Sequence, residues 1–111
     1  MEGIIPGVAV KAHEKIRHPA TESLELATIM RALGDPSRLE IVQLLGDGRT
    51  RICNDIAAEV GLPTSTCSYH LRLLREAGVT RARASGTQRL VSLRTDELED
   101  RFPGLVGVLT R

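Results

Sequence analysis

Thr64-Ser65-Thr66-Cys67-Ser68-Tyr69-His70-Leu71-Arg72-Leu73-Leu74-Arg75 is the stretch that decides the fold. Cys67, Leu71 and Leu74 stand at i, i+4 and i+7, the spacing that turns three apolar side chains to one side of a helix. Ser65, Ser68, Tyr69, Arg72 and Glu76 then share the opposite side, which is polar and free of long apolar groups. Upstream, Ile56, Ala57 and Val60 mark a shorter helix with Asn54 as its N-cap, closed by Gly61-Leu62-Pro63. Downstream, beyond Gly78, the runs Val79 to Ala84 and Thr87 to Leu93 flank Ser85-Gly86, and Arg81, Arg83 and Arg89 alternate with smaller or apolar residues as a hairpin requires. Helix, tight turn, helix and hairpin make a helix-turn-helix with a β-wing, a shape that lays one helix in a DNA major groove. The expected fold class is therefore mostly α with a small β-hairpin.

Moving towards the N-terminus, Asp35-Pro36 is a start signal: a capping carboxylate followed by proline at the first helical position, where its missing N–H costs nothing. Leu39, Val42 and Leu45 form the buried stripe of the helix that follows, widened by Ile41 and Leu44, with Gly46 as its left-handed cap. The helix before it takes Thr21 as N-cap, with Glu22 and Glu25 in its first turn and Gly34 at its end. Its stripe of Leu26, Ile29, Met30 and Leu33 serves equally as core or as a dimer face. Residues 1–19, with Gly3, Pro6, Gly7 and Pro19 among them, are expected to form a mobile arm, and residues 20–111 the folded domain. At the other end Thr95 caps a short acidic helix from Asp96 to Arg101, and an apolar tail of Leu105, Val106, Val108 and Leu109 needs a partner surface, most simply the first helix of its own or a second protomer.

Composition narrows the function. The chain has 111 residues, of which 41% are hydrophobic, enough for one domain with a modest core. Tyr69 and Phe102 are its only aromatic residues, so that core is aliphatic. No run is long and apolar enough to span a bilayer and no secretory pattern opens the chain, so no membrane partner and a cytoplasmic location are expected. The net charge of +1 conceals an asymmetry. Residues 64–94 carry six arginines against Glu76, a local +5, whereas residues 20–63 carry four arginines against seven acids and residues 95–111 two against four. Positive charge is concentrated where phosphate would lie.

With these elements placed, the chain resembles the ArsR/SmtB family of bacterial winged-helix regulators over about residues 24–98. The matches are Ala32-Leu33-Gly34-Asp35-Pro36-Ser37-Arg38-Leu39-Glu40-Ile41, then Asp55-Ile56-Ala57-Ala58-Glu59-Val60-Gly61-Leu62, then Ser65 through Val79, in the family's order and spacing. The resemblance implies a homodimer through the first and last helices, a palindromic double-stranded operator as partner, and usually repression relieved by a metal ion, a metalloid or another signal. A DNA surface of Thr64, Ser65, Ser68, Tyr69, Arg72 and Arg75 on the helix and Arg81, Arg83, Gln88 and Arg89 on the hairpin is expected. Within it Ser65, Ser68, Tyr69 and Arg72 go to the groove, and Arg81, Arg83 and Arg89 to the backbone or minor groove.

The signal departs from the family's pattern. Thiolate sensors carry Cys-Val-Cys just before the third helix, where this chain reads Ile52-Cys53-Asn54, so neither ligand position holds a thiol. Cys53 and Cys67 are expected to be structural hydrophobes without a disulfide. Candidate donors for Ni2+ or Zn2+ are His13 and His18 in the arm with Asp96, Glu97, Glu99 and Asp100 in the acidic helix; a partner regulatory protein is the other candidate signal. An enzyme is not expected, since the three histidines share no motif with a nucleophile and no glycine-rich phosphate loop appears. The remaining alternative is a winged helix that binds proteins without touching DNA.

Overall fold

The computed structural model describes residues 16–111. A 3₁₀ turn at Thr21–Ser23 precedes α1 (Leu26–Leu33), α2 (Pro36–Leu44) and a second 3₁₀ turn (Leu45–Asp47). Then come β1 (Arg51–Ile52), α3 (Cys53–Val60), α4 (Thr64–Glu76), β2 (Thr80–Ser85), β3 (Gln88–Leu93), α5 (Thr95–Arg101) and α6 (Leu105–Leu109). The fold is mostly helical with a three-stranded antiparallel sheet in the order β1-β3-β2.

The core is aliphatic, as the composition demands. Ile29, Ile41, Val42, Leu45, Ile56, Leu74 and Leu98 are fully buried, drawn from helices along the whole domain, and Cys67 and Leu71 join them from α4. Of the stripe expected for α2, Val42 and Leu45 are fully buried as read, whereas Leu39 is only partly covered and Ile41 takes its place in the core. Asp35 starts α2 as expected: its Oδ2 accepts the Arg38 N–H at 3.1 Å and Pro36 takes the first helical position. The turn between α3 and α4 also forms as expected, with Gly61 left-handed and the Leu62 N–H reaching back to the Ala57 carbonyl at 2.9 Å.

Several local expectations are corrected. Thr21 caps no helix: α1 begins after Glu25, and the Thr21 hydroxyl donates to Glu97 Oε2 at 3.3 Å. Gly46 is not the left-handed cap, a place taken by Gly48 at φ 82°. Gly46 is small for a different reason, since a Cβ there would sit 2.6 Å from the Thr110 Cβ where the C-terminus packs down. Helix α3 begins at Cys53 after Ile52, not after Asn54, because Arg51 and Ile52 are pulled into the sheet opposite Val91 and Leu90. Thr95 is the first residue of α5 rather than its cap, and makes no capping bond. The hairpin turn is Gly86-Thr87, one residue later than expected, with Ser85 paired to Gln88. The apolar tail lies against α2 and α5 through Leu105, Val106 and Leu109, leaving Val108 exposed.

The N-terminal arm is tethered where it is described. Ile16 packs on the core, His18 Nε2 accepts the Ala82 N–H at 3.0 Å, and the Pro19 carbonyl accepts from Arg94. Gly78 makes room for this segment. Its φ is +89°, and a Cβ would stand 2.1 Å from Leu24 Cδ2 and 3.4 Å from Pro19.

Candidate nucleic-acid interface

Helix α4 buries Cys67, Leu71 and Leu74 and so presents its other face outward, with Thr64, Ser65, Ser68, Tyr69 and Arg72 all exposed. Tyr69 is half exposed, its ring 5.4 Å from the Arg72 guanidinium carbon. Arg72 also lies 3.6 Å from Glu76 in an exposed i,i+4 pair, a contact too weak to withhold it from a stronger anion.

Two side chains fix α4 from behind. Arg38 Nη1 lies 3.1 Å from His70 Nδ1, and Arg38 Nε donates to the Ala32 carbonyl, so the Asp35-Pro36-Ser37-Arg38 segment ties α1, α2 and α4 together. The pairing of Arg38 with His70 carries no local sequence signal, since 32 residues separate the two.

The wing divides its charges between two faces. Thr80, Ala82 and Ala84 point one way along β2, and Arg81 and Arg83 the other. Arg89 stands opposite Ala84 and so lies on the face towards α4, with Arg75; Gln88 stands opposite Ser85 and shares the side of Arg83. The three wing arginines are thus not equivalent. Arg81 pairs closely with Glu97 Oε1 at the wing's root, while Arg83 and Arg89 are exposed. Arg75 is half-buried, and burial followed by the nearby Arg89 guanidinium lowers its pKa. Ser68, Arg72, Arg75 and Arg89 line one cavity, so the structure brings these expected residues together and leaves Arg81 apart.

Glu97 belongs to the fold. It accepts from Arg94 Nε at 2.9 Å and Nη2 at 3.3 Å, from Arg81 and from Thr21, and the Arg94 hydrogen bond leads the causes that hold its carboxyl below the ordinary range. Arg94 itself is buried and reaches the Pro19 carbonyl at 2.9 Å, which joins the wing, α5 and the N-terminal segment. Of the other metal candidates, His13 lies outside the described residues, His18 Nε2 is engaged by Ala82, and Glu99 accepts the Gly104 N–H at 3.0 Å. Among the described residues no three His, Cys, Asp or Glu side chains gather as a metal site would require.

Cys67 is fully buried, and burial, with Cys53 beside it, pushes its thiol pKa up to about 11. Cys53 is half-buried at the start of α3, its Sγ 3.6 Å from Ser68 Oγ. The adjacency of the two thiols was invisible in a spacing of fourteen residues.

Known proteins share this architecture. A model of the helix-turn-helix domain matches residues 33–83. The HTH-type transcriptional regulator YceK of Bacillus subtilis is 37% identical over 84 residues, covering 75% of this chain and 84% of its own. The arsenical resistance operon repressor of Staphylococcus xylosus is 33% identical over 75 residues, 68% of this chain and 71% of its own. A solution structure from Mycobacterium bovis, described as a homodimeric winged helix-turn-helix DNA-binding domain of a possible ArsR-family regulator, superposes with a TM-score of 0.63 at 32% identity, covering 76% of each chain. No helix among the described residues is long and apolar enough to cross a membrane.

Proposed function

Because the chain belongs to the ArsR family of winged helix-turn-helix transcriptional regulators, whose members are regulators rather than enzymes, we propose that it binds a palindromic operator as a homodimer. In each half-site α4 enters the major groove and the wing lies along the backbone. The observation that carries this is the convergence of Arg72, Arg75 and Arg89 beside the exposed polar face of α4, with Glu76 the only acid on that helix. A module that binds only proteins has no use for such an unbalanced cluster. Ser65, Ser68, Tyr69 and Arg72 read base edges, Thr64 and Arg75 flank them, and Arg83, Gln88 and Arg89 hold phosphates, with Arg81 contributing less because Glu97 engages it.

The dimer uses the chain's two ends. Leu26 and Met30 on α1 are 46% and 42% exposed, and Val108 on α6 is 64% exposed. Large apolar groups left on both terminal helices suit burial against a second copy, and the Mycobacterium bovis neighbour is a homodimer. A nickel or zinc response through His13, His18 and the α5 carboxylates has less support, since His18 Nε2 and the Glu97 and Glu99 carboxylates already accept hydrogen bonds within the fold.

Selection of bound duplexes from a random pool tests the proposal. Enrichment of an inverted repeat with half-sites about 10 bp apart, or a small multiple, is expected; a pool that stays random, or a protein that sediments as a monomer on DNA, contradicts it.

A further inference from the structure

Between α4 and the wing lies a cavity of about 180 Å3 whose lining is chemically divided. Leu71, Ala82 and Val91 form an apolar side, Arg72, Arg75 and Arg89 a cationic one, and no carboxylate lines it. Thr80 is fully buried in the same lining, and its Oγ1 has no hydrogen-bond partner; nor has Nε of Arg75. Buried donors in native proteins are nearly always paired, so two orphans in one cavity call for an acceptor that enters it. The like charges of Arg75 and Arg89 strain towards the same kind of guest, an anion.

Resting on the DNA-binding function above, we propose that this cavity is a regulatory site for a small organic carboxylate. Its oxygens take the Arg75 and Thr80 donors, and its apolar body lies on Leu71 and Val91. The volume is below that of pockets for drug-sized ligands, which selects a single ring or a short chain. A DNA phosphate matches the cationic rim but not the apolar side. The bound carboxylate neutralises charge that phosphate would otherwise use, so ligand and operator compete.

Benzoate serves as the probe, titrated calorimetrically without DNA at constant ionic strength against chloride, with inorganic phosphate as the second arm. Benzoate should bind wild-type protein, about tenfold more weakly to Arg75→Gln and about fivefold more weakly to Thr80→Val, and phosphate should bind far less well than benzoate. Thr80→Val is close to isosteric, and its thermal unfolding confirms the fold. It should keep wild-type operator affinity, measured by fluorescence anisotropy, while losing most of the weakening that benzoate causes. Absence of benzoate binding at millimolar concentration, binding by both variants as tight as by wild type, phosphate binding as tight as benzoate, or benzoate binding that leaves operator affinity unchanged would each overturn the site as proposed. A protein that binds benzoate as described but no DNA removes the operator function and the competition while leaving the pocket standing, so the two failures are distinct.

Discussion

Arg38 donates from Nη1 to Nδ1 of His70 across 3.1 Å, and this bond joins the start of α2 to the middle of the recognition helix. Because a guanidinium only donates, His70 presents Nδ1 as acceptor and carries its proton on Nε2. Arg38→Met and His70→Phe should each cost about 1–2 kcal/mol in urea unfolding. The double variant should fall short of the sum by about 0.5–1 kcal/mol, the mark of a shared interaction. Full additivity would show that the contact contributes nothing.

Gly78 combines a left-handed backbone with the closest approach at any glycine among the described residues, Leu24 Cδ2 at 2.1 Å from where a Cβ would stand. Gly78→Ala should therefore destabilise by about 2–4 kcal/mol, the sum of backbone strain and overpacking. Gly61, also left-handed at φ 73° but with open space around it, should cost only about 1–2 kcal/mol as alanine. Equal losses at the two glycines would mean that Leu24 does not pack where the structure puts it.

His18 sets a pH dependence. Burial first, then the Arg94, Arg75 and Arg81 guanidinia, lower its pKa, and Nε2 must stay unprotonated to accept from Ala82. In the unfolded chain it titrates near pH 6.5, so between its two values the unfolded state binds more protons. The His18 contribution is fully present above about pH 6.5 and is lost as pH falls through the folded value. Comparing urea midpoints at about pH 7.5 and 5.5, wild type should lose more stability than His18→Gln. An equal loss in the two proteins would remove His18 from the account.

The elements legible in the sequence are those whose signals are local. Asp35-Pro36 announces α2, the spacing of Cys67, Leu71 and Leu74 announces α4, and alternation announces the wing. What stayed hidden depends on contacts distant in the chain. Strand β1 is two residues long and exists only through Val91 and Leu90; Gly46 is small because of Thr110; Thr21 serves Glu97 instead of a helix. The site followed the same rule. The outward face of α4 was readable from periodicity, but the pleat that sends Arg89 towards Arg75, and the Glu97 contact that holds Arg81 away, required the folded sheet.

Cys67 should be a packing residue. With its pKa raised to about 11, almost none is thiolate at neutral pH. A thiol-specific reagent such as iodoacetamide should leave Cys67 unmodified in native protein and modify it in urea, and Cys67→Val should leave operator affinity within about twofold. Rapid native labelling of Cys67 would contradict its placement.

The division of roles on the DNA surface is most directly tested by salt. A dimer making roughly six to eight phosphate contacts should show a log–log slope of operator affinity against salt of about −5 to −7. Arg89→Ala should make that slope shallower by about 2 for the dimer and weaken all duplexes alike, Arg81→Ala should change it by less, and Ser68→Ala should alter sequence preference at nearly constant slope. A wild-type affinity independent of salt, or a slope that Arg89→Ala leaves untouched, would contradict the assignment of the α4 and wing arginines to DNA.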